Sequence, residues 1–308
     1  MSPDPSPFDL NRPKFRLRVI TSLVAIVLAV ALIWFAEWPM AVFVFVLSVF
    51  ASRELYWLFE EKGYRPARYL GTAASLSIIV LTALTGTKYH APFMVASFVL
   101  ACLFLIIRSA PWFPYQSLLG KASDQKPNQI GTISDVATTF LGIVLTGWLP
   151  SYIPLLRQLQ YPDLVHREAM PHLGMGITFL YFGAIIATDV GAYLIGKSIG
   201  RRPLIGPLSP KKTVEGSLGG ILLAVLAAAL IGWGFHLDIL HCMALGAVIS
   251  VVAQISDLTE SMIKRDAGKK DSGDIIPGHG GVLDRVDSYL LSGAVAYYYL
   301  FYIWHVVY

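Results

Sequence analysis

Charge is scarce in this chain. Only 14% of its residues are Asp, Glu, Lys or Arg, against roughly a quarter in a typical soluble domain. Apolar residues make up 55% and the mean hydropathy is positive, so the chain is short of the side chains that solvate a water-facing surface. Cysteine is nearly absent as well. Cys102 and Cys242 both fall inside apolar runs, which excludes a disulfide framework or a cysteine-ligated metal site. No internal repeat and no separate soluble domain can be read. The net charge of +4 is too weak and scattered to suggest a nucleic-acid partner, although it suits anionic lipid headgroups.

Long apolar runs are what the chain has in quantity. A helix crosses a bilayer with about 20 apolar residues. Candidate spans cover 17–36, 39–59, 69–86, 91–107, 134–156, 173–199, 215–235, 239–263 and 287–305. They predict an all-α, polytopic integral membrane protein with about nine transmembrane helices. Trp38, Trp57, Tyr69, Trp148, Tyr152 and Trp304 lie near span ends, where interfacial aromatics anchor helices. Residues 1–16 are polar and proline-rich and are expected to form a disordered tail. The first apolar run lacks a small-residue cleavage site and is expected to stay as an anchor.

The basic residues give an independent test of this topology. With the N-terminus in the cytoplasm, 21 of the 24 Lys and Arg residues fall on the inner side, leaving Lys88, Arg157 and Arg167 outside. That bias predicts an N-in orientation. Polar chemistry concentrates after residue 185, so 17–170 is expected to be a scaffold and 171–308 the working part. Arg53 and Glu54, near the end of the second span, read as a buried ion pair, either structural, which is favoured, or facing the site.

The working part centres on one segment. Between Asp257 and Asp287 lie seven acidic residues, five Lys or Arg and one His, flanked by apolar runs. Asp257, Ser261 and Lys264 recur at helical spacing and share a face, with Glu260 about 60° off it. A carboxylate and a hydroxyl one turn apart suit Mg²⁺, and an ammonium one turn later suits a phosphate oxygen. The plainer reading is a helix end with solvated charges, but an acid at the depth of Asp257 is costly in a membrane unless it works.

Downstream, Pro277-Gly278-His279-Gly280-Gly281 offers backbone N–H groups that can approach phosphate closely. Asp284, Arg285 and Asp287 follow at once: two acids, which could equally be first-turn residues favoured by the helix dipole, and a guanidinium fork for phosphate oxygens. Asp189 lies deep in the sixth span, about ten residues from the next charge. Ser209, Lys211, Lys212 and Thr213 form a compact set of phosphate-binding groups ahead of the seventh span, in a loop that would carry lysines in any case.

The run from Ser261 through Lys264-Arg265, Lys270-Asp271, Pro277-Gly-His-Gly-Gly and Asp284-Arg-Val-Asp287 resembles the signature of phosphatidate cytidylyltransferases, also called CDP-diacylglycerol synthases. Asp189-Val-Gly-Ala-Tyr193, Ser209-Pro-Lys-Lys-Thr213 and Glu215-Gly216 resemble the same family. The specific match covers roughly 185–290; before that only the topology agrees. Ser256 stands where glycine is usual and Lys197 where arginine is usual.

The resemblance implies transfer of CMP from CTP to phosphatidic acid, releasing pyrophosphate, in a bacterial inner membrane with the active site facing the cytoplasm. It implies Mg²⁺, with room for a second cation, and leaves room for a homodimer among membrane lipids. On that reading Asp257, Lys264, Asp284 and Asp287 are catalytic, and Asp257, Ser261 and Asp284 hold metal. Asp189, Ser209, Lys211, Lys212, Thr213, Arg265, His279, Gly280, Gly281 and Arg285 bind substrate. Two other classes remain open at this point. A CTP-dependent lipid-alcohol kinase would use similar carboxylates but move the γ-phosphoryl group. A transporter of a phosphorylated solute would spread its polar residues through the membrane depth.

Overall fold

The structure is a computed structural model that describes residues 30–31, 33–34, 37–110, 131–161, 172–275 and 280–306. The polar tail at 1–16 and most of the first predicted span lie outside them. The described helices are α1 (Glu37–Lys62), α2 (Arg68–Thr85), α3 (His90–Arg108), α4 (Ile133–Ile143), α5 (Tyr152–Gln158), α6 (Leu173–Ile199), α7 (Val214–Gly234), α8 (Ile239–Asp266), α9 (Leu283–Val286) and α10 (Tyr289–Tyr302). Among the described residues, seven helical segments are long and apolar enough to cross a membrane.

The fifth predicted span is found as one crossing, Ile133–Gln158, built from α4, a π-helical turn at Val144–Trp148, and α5. Two other features depart from the expected plan. The Ser-Pro-Lys-Lys-Thr string is not a simple loop. It forms strand β2 (Ser209–Thr213), paired antiparallel with β1 (Pro203–Ile205) in the register Pro203↔Thr213 and Ile205↔Ser209. The last predicted span, 287–305, is helical only over Tyr289–Tyr302, 14 residues, about 21 Å and too short to cross a ~30 Å core unaided.

Close packing explains how the first helices assemble. The Tyr56 hydroxyl of α1 donates to the Thr139 carbonyl of α4 at 2.8 Å. A Cβ at Gly71 of α2 or Gly142 of α4 would collide with that ring, so glycine at both sites admits the tyrosine between the helices. Thr132 and Asp135 form a reciprocal capping box at the start of α4, the usual means of satisfying first-turn N–H groups. Asp135 also accepts from the Arg65 N–H at 2.6 Å and pairs with Arg108 at 3.6 Å.

These contacts gather the chain's charged ends on one face. Lys62 at the end of α1 meets Asp266 at the end of α8 at 2.7 Å, and Lys269 meets Glu61 at 2.7 Å. The β-hairpin reaches α8 through the Lys212–Asp257 ion pair. The α1–α2 turn, the end of α3, the start of α4, the hairpin and the segment after α8 therefore share a face. Helix α8 is 28 residues long, about 42 Å. Its uncharged part ends at Ser256 after about 27 Å, close to the ~30 Å hydrocarbon thickness. Its acidic end thus begins where the membrane core stops.

Candidate active site

A row of acids and lysines runs across that face. At one end Lys212 of β2 is paired with Asp257 of α8, and Asp189 of α6 interacts electrostatically with both. In the middle Asp287 interacts with Asp257, Asp189 and Lys264. At the far end the Lys264 ammonium sits between Glu260, at 2.5 Å, and Asp284, at 2.6 Å. Glu260 is only 1% exposed, and the Lys264 ammonium is the cation beside it. Five carboxylates and two ammonium groups thus lie within reach of one another, drawn from α6, β2, α8, α9 and the α9–α10 junction.

The two carboxylates expected to share a metal have different partners in the structure. Asp257 lies beside Lys212, Asp189 and Asp287. Asp284 spends one oxygen on Lys264, and the other accepts the N–H groups of Ser272 and Gly281, both at 2.9 Å. Burial pushes the Asp284 carboxyl up, but the Lys264 ammonium and the two N–H groups outweigh it and hold the carboxyl below the ordinary carboxylate range. Asp287 accepts the Ser288 N–H at 2.6 Å. Its carbonyl accepts the Ser256 hydroxyl, which in turn accepts the Leu291 N–H at 3.3 Å. The unusual serine at 256 therefore ties α8 to the α9–α10 junction. Ser261 is half-buried one turn after Asp257.

The remaining expected residues separate by position. Lys212 enters the row, whereas Lys211 is exposed and alternates to the other face of the strand. Thr213 gives its hydroxyl to capping α7, accepting the Gly216 N–H at 3.1 Å. Ser209 is half-buried in the strand pairing. Arg265 is exposed and donates to the Lys269 carbonyl at 3.0 Å; Arg285 is exposed on α9. Gly280 has φ +82°, a left-handed backbone that glycine adopts at little cost. His279 lies outside the described residues.

Glu54 departs from the expected ion pair and instead meets the signature segment, the less favoured of the two expected readings. It is buried and faces away from exposed Arg53, so the two do not form the buried ion pair expected from their adjacency. Its carboxylate accepts the Ser272 hydroxyl at 3.0 Å, the Val282 N–H at 3.0 Å and the Leu283 N–H at 2.7 Å. The available signal was an acid near the end of an apolar run, which asks for a buried partner but does not say where in the chain it lies.

The donor set bears on metal binding. Among the described residues no three His, Cys, Asp or Glu side chains form a ready metal cage. Mg²⁺ does not need one: it takes one or two carboxylates, keeps several waters and shares substrate phosphates. The Asp189, Asp257 and Asp287 oxygens are hard donors, with Lys212 and Lys264 near enough to offset part of their charge. The residues therefore fit a hard divalent cation arriving with a phosphate-bearing substrate.

Fold and site together define a polytopic membrane protein with a cluster of acids and lysines gathered at one end of its helices. Residues 16–303 match the sequence pattern of the cytidylyltransferase family, and the chain belongs to that family. It is 35% identical over 304 residues to a phosphatidate cytidylyltransferase of Synechocystis sp., covering 92% of this chain and 95% of that one. It is 33% identical over 310 residues to chloroplastic phosphatidate cytidylyltransferase 5 of Arabidopsis thaliana, covering 93% and 70%. A phosphatidate cytidylyltransferase of Bacillus subtilis is 42% identical over 129 residues, covering 41% and 48%.

Proposed function

We propose that this protein is a nucleotidyltransferase that moves CMP from CTP to phosphatidic acid, forming CDP-diacylglycerol and pyrophosphate for phospholipid synthesis. The observation that carries the reading is the acid–lysine row at the membrane surface, in a chain that matches phosphatidate cytidylyltransferases along most of its length. A phosphate oxygen of the lipid attacks the α-phosphorus of CTP, one P–O bond forms, and the bond to the β-phosphate bridge breaks. The nucleophile is already an anion, so no strong general base is needed. What the reaction needs is neutralisation of two polyanions and of the leaving group.

Asp257, with Asp287 and Asp189 beside it, would hold Mg²⁺ at the centre of the row, where Ser261 is near enough in sequence to assist. The bound ion would supply charge neutralisation at the phosphates. Lys264, Arg285, Arg265 and the His279-Gly280-Gly281 turn take CTP phosphates. Lys212, on the hairpin and ion-paired to Asp257, is placed for the phosphate that joins the two substrates, with Ser209, Lys211 and Thr213 around it. The acyl chains stay in the bilayer. The site faces the cytoplasm of a bacterial inner membrane, where CTP is made.

The test uses purified protein, phosphatidic acid and CTP labelled on the α-phosphate. Label should enter lipid with release of pyrophosphate, and a divalent chelator should abolish transfer. Label entering lipid only from γ-labelled CTP would establish a kinase instead.

A further inference from the structure

We infer that Glu54, far from the signature in sequence, is a positioning residue for the transfer reaction: it ties Ser272 to Val282 and Leu283 so that Asp284 and Gly281, which bond each other, keep their places. The inference rests on the proposed reaction for its kinetic readout, while its geometry stands apart from it. The carboxylate of Glu54 acts as a latch, taking the Ser272 hydroxyl on one side and the Val282 and Leu283 N–H groups on the other. All four residues are buried: Glu54 is 4% exposed, Ser272 and Leu283 are 0%, and Val282 is 5%.

The latch supplies what the local sequence lacks. Helix α9 begins at Leu283, and Val282 before it has no side chain that can cap the first turn. Unsatisfied first-turn N–H groups are normally met by a neighbouring Ser, Thr, Asp or Asn. Here a carboxylate from α1 accepts the Val282 and Leu283 N–H groups across the fold, and the Ser272 hydroxyl accepts the Asp284 N–H at 3.3 Å. The effect passes directly to Asp284. Ser272 gives its hydroxyl to Glu54 and its backbone N–H to Asp284, while Gly281 N–H supplies the other bond to the same oxygen. The latch also accounts for glycine at 281: a Cβ there would run into the Ser272 hydroxyl and come within 2.5 Å of the Glu54 carboxylate. At 273 it would lie 2.9 Å from the same carboxylate. Removing Glu54 leaves three buried donors with no acceptor, and they can regain partners only by opening to water.

The experiment compares wild type with E54A, E54Q, S272A and the surface control E60Q, each purified as a folded, monodisperse membrane protein. One arm measures trypsin cleavage after Lys269 and Lys270 well below the unfolding temperature, with fragments identified by mass. The other measures KM for CTP and, separately, for phosphatidic acid. E54A should be cleaved at least 10-fold faster and raise KM for CTP at least 10-fold, with KM for phosphatidic acid unchanged. E54Q should fall between E54A and wild type, since its amide oxygen still accepts an N–H. S272A should shift both readouts about 3-fold in the same direction, and E60Q should match wild type. A merely structural loss would lower the amount of active protein without moving KM for CTP. Wild-type cleavage and wild-type KM for CTP in E54A overturn the inference. If E54A does not fold, the same result in both E54Q and S272A overturns it. A wild type that transfers no CMP refutes the reaction, whereas the cleavage arm still decides the latch.

Discussion

Asp257 sits where the row is most negative, beside Asp189 and Asp287 and neutralised in the structure by Lys212. Asp257→Asn keeps its shape and removes one charge. If it holds the metal, the rate should fall by at least about 10²-fold, comparable to losing a major transition-state electrostatic contact. Insertion and folding should survive, because an amide at a membrane boundary costs less than a charge. Asp274→Asn, on an exposed side chain of the same segment, should leave the rate within about 2-fold, the small effect expected of a surface change. Near-normal turnover in well-folded Asp257→Asn would place the metal elsewhere.

Asp284 gives a different kind of prediction. Its folded carboxyl lies below the ordinary value near 4, so its stabilising contribution is complete above that value and is lost as pH falls through the lower folded one. The gap in unfolding temperature between wild type and Asp284→Asn should stay constant from neutral pH to about 5 and close below about 4. A gap that widens on acidification would show that the carboxyl is not held as an anion. Both residues were legible in the sequence, because charge in an apolar chain is conspicuous. Their neighbours were not. Helical spacing put Asp257, Ser261 and Lys264 on one face, but only the fold shows that Lys264 turns to Glu260 and Asp284 while Asp257 turns to Lys212.

At the scale of elements, hydropathy located the crossings because a helix in lipid must satisfy its own backbone, and that requirement writes long apolar runs into a chain. It had no purchase on the hairpin. Ser209-Pro-Lys-Lys-Thr213 carries no alternation of apolar and polar residues, and its strand exists because Pro203–Ile205 returns antiparallel beside it. Glu215 reinforces the return by accepting the Arg201 and Arg202 N–H groups at 3.1 and 3.2 Å. The consequence is functional. A flexible loop would offer Lys211 and Lys212 equally, whereas a strand sends them to opposite faces and commits Lys212 to the row. The last span is shorter than its hydropathy suggests, because its first two residues, Asp287 and Ser288, form a turn; the helix starts at Tyr289, and its Ser292 hydroxyl meets Tyr181 of α6 at 2.9 Å.

For the whole molecule the question is which compartment the charged face meets. The fold brings the turns and hairpin that carry most of the described basic residues to one face. On the positive-inside bias we propose that this face meets the cytoplasm. Burial selects the reporters: Lys211 and Asp274 are exposed on the charged face, and Lys88 is exposed at the opposite end, between α2 and α3. Ser272, although central to the charged segment, is fully buried and would not react. In a background with Cys102 and Cys242 replaced by alanine, single cysteines at 211 and 274 should resist a membrane-impermeant thiol reagent in intact cells and react after lysis. A cysteine at 88 should react in intact cells. Labelling of 211 or 274 before lysis would reverse the orientation, and a site that faces away from the cytoplasm would have no access to the CTP its chemistry requires.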